Sequence, residues 1–470
     1  MIKLDFYTLA KEVKGELVQS RFGTTVFEGV SIDSRTIAER QLFVAVKGEK
    51  DDGHKYINDV LKRTGAGLLI QRDYPDLPSI KDTVPIVIVE NTHESMMQLA
   101  RSYRRRLSAC FIAITGSNGK TTTKEFIYAM IASKEKLTYR SSGNLNNLFG
   151  FPLAIFAMPQ NSKYGVFELG ISVPGEMTRL AEMAVPDLAL ITNVGPTHLE
   201  TLGTIEGVAE AKLELVDMLS EDKPVILNKD FPVLMKAASR RKRNFITYGI
   251  ETNADFTAKA VGISDDGFPI IEIDGSRITI KLFGEHQAYN LLAGYAVCKV
   301  LGLNIKASEL DNIEYRFAPY RGEIANINGL TLIADCYNAN PASMESGLES
   351  LRRYLEHPAM QGRTNIVVVG DMLELGERSE EYHREIGILL ARLHFDMVVA
   401  VGPHSESMRQ AAVENGYDAK RIKHFSGTEE AGAYLVDNVM RGDIVYLKAS
   451  RGIGLEKIIT LLKGTAFRQN

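Results

Sequence analysis

Short runs of apolar, largely β-branched residues recur along the chain with almost no polar alternation, and this pattern limits the possible folds more than any other feature. They read PIVIVE at 85–90, CFIAIT at 110–115, YGVFEL at 164–169, LALITN at 188–193 and VILN at 225–228. FITYG at 245–249, NIVVVG at 365–370, MVVAV at 397–401 and IVYLK at 444–448 continue the series. A strand wetted on one face alternates apolar and polar residues, whereas a strand apolar throughout suits a sheet covered on both faces. Helical stretches separate the runs, one passing through Met97 to Arg106 and one starting near Thr122. The rhythm is that of parallel sheets with packed helices, an α/β fold.

A chain of 470 residues holds about two to four domains at ~100–200 residues each. Breaks are expected near 108 and near 315. The first follows the basic stretch 101–106 (RSYRRR), which reads either as the close of one domain or as a solvated helix end. The second lies in 313–322 (IEYRFAPYRG), where a helical region gives way to a fresh strand, GLTLIAD, at 329–335. Lys plus Arg number 55 against 59 Asp plus Glu, a net charge of −4, so no basic field exists to hold nucleic acid. Cys110, Cys298 and Cys336 match neither a disulfide framework nor a metal-binding spacing, which fits a reducing compartment. The N-terminal stretch is charged every few residues, and no apolar run approaches the ~18 residues of a membrane span. A cytoplasmic protein is expected.

The strongest local signal is the strand-to-helix sequence IAITGSNGKT at 112–121. It reads as a phosphate loop formed by Thr115, Gly116, Ser117, Asn118, Gly119, Lys120 and Thr121. The glycines let backbone N–H groups turn toward a phosphate chain, the helix N-terminus adds partial positive charge, and Lys120 supplies a mobile cation. Thr121 offers a hydroxyl to Mg²⁺. The spacing departs from G-x-x-x-x-G-K-[ST], because Ile114 stands where the first glycine would be.

Other candidates gather around that loop. Glu168 ends an apolar strand, where the carboxyl edge of a sheet meets its ligand crevice, and reads as a Mg²⁺ ligand or a solvated strand-end glutamate. His198 follows a strand through the turn 193–197 and reads as a metal ligand or an ordinary loop histidine. Lys212 falls on the apolar stripe of a helix predicted over 204–219. There it either snorkels to the surface or is desolvated, its pKa lowered so that a neutral amine is available. Asn290, Arg321 and Asp335 could complete a nucleotide site, and Asn338, Asn340 and Pro341 follow Asp335 as turn formers.

Taken together, these residues resemble the Mur ligase superfamily over nearly the whole chain. The resemblance is carried by TGSNGKTTTK (115–124), GNLNN (143–147), FELG with GEM (167–177), TNVGPTHLETLG (192–203), AKLEL (211–215), YNANPASM (337–344) and GDMLELG (370–376). GNLNN and the last two look like the branch that adds a dipeptide. The family architecture implies an N-terminal UDP-sugar domain at 1–108, a central ATPase-like parallel-sheet domain at 109–315 and a C-terminal Rossmann-like domain at 316–470. It implies Thr121 and Glu168 as ligands of one Mg²⁺, His198 as ligand of a second, and Lys212 as a carbamylated lysine joining them. Lys120, Glu168, His198 and Lys212 are the implied catalytic set. Asn290 matches the adenine contact, and Arg321 and Asp335 match residues at the hinge and the ATP ribose or phosphate. Ser34 and Arg35, within SIDSR at 31–35, are implied contacts of the UDP-sugar. Asn144, Asn146 and Asn147 are implied contacts of the sugar-peptide, and Asn338 and Asn340 of the dipeptide. The family commonly shows His-Asn-x-x-Asn where this chain reads His286-Gln287-Ala288-Tyr289-Asn290.

The implied reaction is ATP-dependent ligation of D-alanyl-D-alanine to UDP-N-acetylmuramoyl-tripeptide through an acyl phosphate, by a cytoplasmic monomer engaged in peptidoglycan synthesis. Alternatives are a related ligase adding another amino acid, a folate polyglutamate synthase, a GTPase or small-molecule kinase, and a non-catalytic nucleotide-binding scaffold. Asn228-Lys229-Asp230 is similar to a guanine-reading Asn-Lys-x-Asp, one residue short.

Overall fold

The apolar runs become strands of three sheets in a computed structural model that describes residues 1–48, 51–64 and 67–469. The central sheet has seven parallel strands in the order Phe256–Thr257, Ile246–Gly249, Val225–Asn228, Leu188–Ile191, Cys110–Thr115, Tyr164–Glu168 and Thr138–Arg140. Leu188–Ile191 and Val225–Asn228 are buried at every position. The cause is visible in the packing, because neighbouring residues on one strand feed two different cores. Phe111 and Ala113 pack in one core with the helices Thr92–Arg104, Gly150–Ala157, Glu176–Ala184 and Ile205–Asp217. Ile112 and Ile114 point the other way, onto Phe126 and Met130 of Lys120–Lys134 and Leu291 and Leu292 of Gln287–Val300. With helices on both faces, no position on these strands needs a polar residue.

An N-terminal sheet of five strands runs in the order Glu16–Leu17, Ile86–Val89, Gly67–Gln71, Leu42–Val44 and Val30–Ser31, antiparallel only at its first pair. A C-terminal sheet of six runs Glu323–Ile327, Leu330–Ala334, Ile444–Lys448, Asn365–Gly370, Met397–Val401 and Ile422–Phe425. Its edge strand Glu323–Ile327 is antiparallel to Leu330–Ala334 and was not expected, since its residues are mostly part-exposed and carry no continuous apolar signal. The antiparallel trio Lys259–Ile263, Pro269–Ile273 and Ser276–Thr279 was likewise unforeseen. Between central and C-terminal sheets, Tyr315 and Phe317 set their rings 4.8 and 4.9 Å from Phe126, pinning the connection to the helix that follows the phosphate loop. Among the described residues no helix is long and apolar enough to cross a membrane.

The basic stretch 101–106 splits between two roles. Arg105 and Arg106 are exposed, but Arg104 is buried. Its guanidinium donates to the carbonyls of Ala184 (2.7 Å), Val185 (2.9 Å) and Leu107 (3.0 Å) and to Asp187 (3.1 Å), and lies 3.7 Å from the centroid of the Phe111 ring. A fixed five-donor fork ties the helix Thr92–Arg104 to the segment 184–187 that leads into Leu188–Ile191, and Asp187 in turn accepts from Phe111 N–H at 2.9 Å. Arg104→Ala is expected to reduce hydrogen-exchange protection of the Cys110–Thr115 amides by about 3 kcal/mol, with Arg104→Lys recovering little of it. Exchange rates of those amides in parent and variants check this.

Candidate active site

Parallel register decides where the chemistry gathers. Ile114 stands opposite Glu168, and Thr115 opposite Ile191. The loop 116–119, the segment after Glu168 and the turn after Ile191 therefore leave the sheet at one carboxyl edge, the usual crevice of such sheets.

The loop is held from the neighbouring turn. Ser117 N–H donates to the Asn193 carbonyl (3.0 Å) and Asn118 N–H to Asn193 Oδ1 (2.8 Å), while Thr192 Oγ1 donates to the Asn118 carbonyl (2.6 Å). Gly119 has φ +80 and caps the helix Lys120–Lys134; a Cβ there would fall 2.3 Å from Asn290 Oδ1. Only glycine meets both demands without strain. Lys120 Nζ bends back to the Gly116 carbonyl at 2.8 Å. Burial lowers its pKa, and the charge of Glu168 opposes that shift.

Glu168 is 2% exposed. Its Oε1 accepts from Asn146 Nδ2 at 2.6 Å, but its Oε2 is buried and has no hydrogen-bond partner. An orphaned carboxylate oxygen beside a phosphate loop is the donor a hard cation needs. His198, at φ +53, opens the short helix Leu199–Leu202 and sets Nδ1 2.7 Å from Glu374 Oε2. That contact holds the Glu374 carboxyl below its ordinary range.

Lys212 lies on Ile205–Asp217, whose N-terminus is capped by Thr204 Oγ1 on Gly207 N–H (3.1 Å). It is 2% exposed and does not snorkel, and among the described residues its amine has no hydrogen-bond or ion-pair partner. Burial, reinforced by the charge of Lys120, lowers its pKa far below that of a free lysine.

A cavity of about 470 Å³ joins the phosphate loop, Glu168 and His198 to the C-terminal lobe. Ser117, Asn118, Gly119, Lys120, Thr121, Asn146, Asn147, Glu168, His198, Asn290, Arg321, Asp335, Asn338 and Asn340 line it. Thr115, Gly116, Asn144, Lys212, Ser34 and Arg35 do not. Thr115 is wholly buried, with its hydroxyl on the Leu169 carbonyl, and Arg35 is exposed and paired with Asp33 at 2.7 Å. Asn340 Oδ1 accepts from Ser343 N–H, capping Pro341–Glu356, while its Nδ2 donates to Asn118 Oδ1 at 2.7 Å. The amide thus stitches the C-terminal lobe to the phosphate loop. Gln287 takes up the place of the expected asparagine: its Oε1 accepts from Asn290 Nδ2 at 2.8 Å and orients that side chain.

Sequence reasoning gave no site role to Lys448, His286 or Asn193. Lys448 is 3% exposed and donates to Asp335 at 2.6 Å; its only signal was a lysine closing the apolar run 444–448. His286 is lowered to about 4 by burial and stands at the cavity wall as a neutral imidazole. The guanine-reading alternative loses its carboxylate, since Asp230 accepts from the N–H groups of Ile250 (2.6 Å), Glu251 (2.9 Å) and Thr252 (2.9 Å) and from Tyr289 OH (3.0 Å).

Three family profiles match the chain: "Mur ligase family, catalytic domain" at 26–104, "Mur ligase middle domain" at 114–298 and "Mur ligase, glutamate ligase domain" at 320–451. The UDP-N-acetylmuramoyl-tripeptide--D-alanyl-D-alanine ligase of Bacillus subtilis is 34% identical over 465 residues, 98% of each chain. The chain belongs to the Mur ligase family. The crystal structure of MurF from Acinetobacter baumannii superposes with a TM-score of 0.86 at 25% identity, covering 99% of this chain and 100% of that one. The MurF ligase of Thermotoga maritima in complex with ADP gives 0.79 at 29% identity, covering 93% and 97%.

In this Mur ligase the three matched stretches fall in turn on strands of the N-terminal, central and C-terminal sheets. Among the described residues no three His, Cys, Asp or Glu side chains converge as a metal site.

Lys120→Ala is expected to weaken nucleoside triphosphate binding about tenfold or more while leaving the fold intact, because it removes one charge-assisted donor and no packing. Titration calorimetry beside a thermal melt checks this.

Proposed function

We propose that the chain is an ADP-forming ligase joining the amine of D-alanyl-D-alanine to the terminal carboxylate of UDP-N-acetylmuramoyl-tripeptide, in cytoplasmic peptidoglycan precursor synthesis. What carries the reading is end-to-end likeness to proteins of that name, with a phosphate loop at a cavity walled by two lobes. The units 1–108, 109–315 and 316–470 would take the UDP-sugar, ATP and the closing role, in a monomer.

The terminal carboxylate attacks the γ-phosphorus of ATP, giving an acyl phosphate and ADP. The neutral amine then attacks the acyl carbon, loses a proton, and inorganic phosphate leaves through a tetrahedral intermediate. The barrier is electrostatic, because an anion must approach a polyanion. Lys120, unscreened in a buried cleft, offsets that repulsion. Asn290, oriented by Gln287, would meet adenine, and Arg321 and Asp335 the rest of the nucleotide. Arg321 lies 3.8 Å from the Tyr337 ring centroid with its Nε buried and unpartnered, and Asp335 is held by Lys448. Ser34 and Arg35 would contact the uridine side, and Asn144, Asn146 and Asn147 the sugar-peptide. Exposed Asn338 would meet the dipeptide beside the helix start that Asn340 caps.

Thr121 and Glu168 would hold one Mg²⁺, and His198 with carbamylated Lys212 a second; the orphaned Glu168 oxygen and the unpartnered Lys212 amine suit these roles. Bound there, Mg²⁺ would neutralise phosphate charge. A neutral amine is the form that adds CO₂, releasing one proton and becoming an anionic oxygen donor, which reconciles Lys212 with its burial.

With ATP, Mg²⁺ and UDP-N-acetylmuramoyl-tripeptide, D-alanyl-D-alanine is expected to be joined at least about 100-fold more efficiently than D-alanine, read by weighing the products. Equal use of single amino acids points to another branch of the family. Lys212→Ala and Lys212→Arg are both expected to abolish turnover while sparing nucleotide binding, and to lose the carbamate carbon signal seen in the parent with ¹³C-bicarbonate. A fully active Lys212→Arg overturns the carbamate.

A further inference from the structure

The stretch GDMLELG at 370–376 leaves the C-terminal strand Asn365–Gly370 and crosses to the central lobe. Asp371, wholly buried, anchors it by accepting from the N–H groups of His404 (3.1 Å) and Ser405 (2.7 Å), and Leu373 N–H donates to Ser450 Oγ at 3.0 Å. Beyond this anchor the backbone turns sharply. Glu374 adopts φ +64, uncommon for a residue with a side chain, and Gly376 adopts φ +61. Gly376 lies against the central lobe, where an added Cβ would sit 3.3 Å from Glu200 Cα. This turn carries the Glu374 carboxylate to His198 Nδ1 at 2.7 Å. Among the described residues no other side chain bonds to that imidazole. The Glu374 side chain is 65% exposed, so the pair adds little to stability; what it decides is which ring nitrogen is occupied.

We propose that Glu374 is a positioning residue that reaches from the C-terminal lobe to fix the His198 ring, keeping the proton on Nδ1 and leaving Nε2 unprotonated as the ligating nitrogen. The inference rests on the reading of His198 as a metal ligand. A carboxylate behind a ligating histidine sets its tautomer and raises its basicity, and such partners are worth about 10–100-fold in metal affinity. Here the carboxylate and the histidine belong to different lobes. The central lobe's metal ligand is therefore oriented only while the C-terminal lobe is docked, which couples docking to the metal.

The full chain labelled with ¹⁵N-histidine tests this, with His198→Gln assigning the resonance. The parent is expected to show His198 protonated at Nδ1, and Glu374→Ala protonated mainly at Nε2. Glu374→Gln, whose amide oxygen still accepts from Nδ1–H, is expected to keep the parent tautomer. Mn²⁺ affinity in the presence of ADP, read by electron paramagnetic resonance, should fall about 10–100-fold in Glu374→Ala and stay within about threefold of the parent in Glu374→Gln. In ligation assays the alanine variant should lose kcat with little change in KM for ATP. An unchanged tautomer, or unchanged Mn²⁺ affinity, in Glu374→Ala overturns the proposal. Failure of the parent to ligate D-alanyl-D-alanine overturns the functional reading alone and leaves the tautomer and Mn²⁺ results standing.

Discussion

The parallel pairing of Cys110–Thr115 with Tyr164–Glu168 on one side and Leu188–Ile191 on the other is the constraint on which the site depends. Parallel strands end together, so the phosphate loop, Glu168 and the 192–197 turn emerge side by side. A slip of one residue would turn Glu168 from the cavity into a core face and exchange the two apolar cores on either side of the sheet. Burial of both faces is what makes such a slip costly. Fold stability and site geometry are therefore the same requirement.

Buried charge is the second organising problem. Lys120 and Lys212 are near enough for the charge of one to depress the other, and both are desolvated. Among nearby protein groups Glu168 offers compensation to Lys120, and its second oxygen has no partner. A desolvated lysine and a carboxylate with one unpartnered oxygen, both on the cavity wall, suit anionic phosphates and a hard cation. The C-terminal lobe adds its own pair, Asp335 with Lys448, and meets the central lobe through Asn118 with Asn340 and His198 with Glu374.

Much of this was legible in the residues. Strands such as Asn365–Gly370 and Ile444–Lys448 coincide with the apolar runs because residues buried on both faces leave an unbroken signal. The helix bearing Lys212 was visible as an apolar stripe opened by Thr204. The antiparallel strands Lys259–Ile263 and Glu323–Ile327 were not, since half-exposed edge strands carry only weak alternation. Arg104 sat unrecognised among solvated arginines, because a basic run says nothing about which member turns inward to meet four oxygen acceptors. Gln287 shows the reverse: the departure from the family pattern was plain, but its bond to Asn290 depends on the turn of a helix.

By itself the sequence determined what is written in local order: covered parallel strands, a glycine-bearing turn running from strand to helix, and a lysine on an apolar helical face. These follow from backbone sterics, solvent exclusion and periodicity, which act within a few residues of the chain. Tertiary structure alone decided which groups meet. Glu374 and His198 are 176 positions apart, and Asn118 and Asn340 are 222 apart, yet each pair lies within hydrogen-bond reach. Such contacts depend on how three sheets and their connecting loops pack, and no local pattern of residue types encodes a distance set by elements so far apart along the chain.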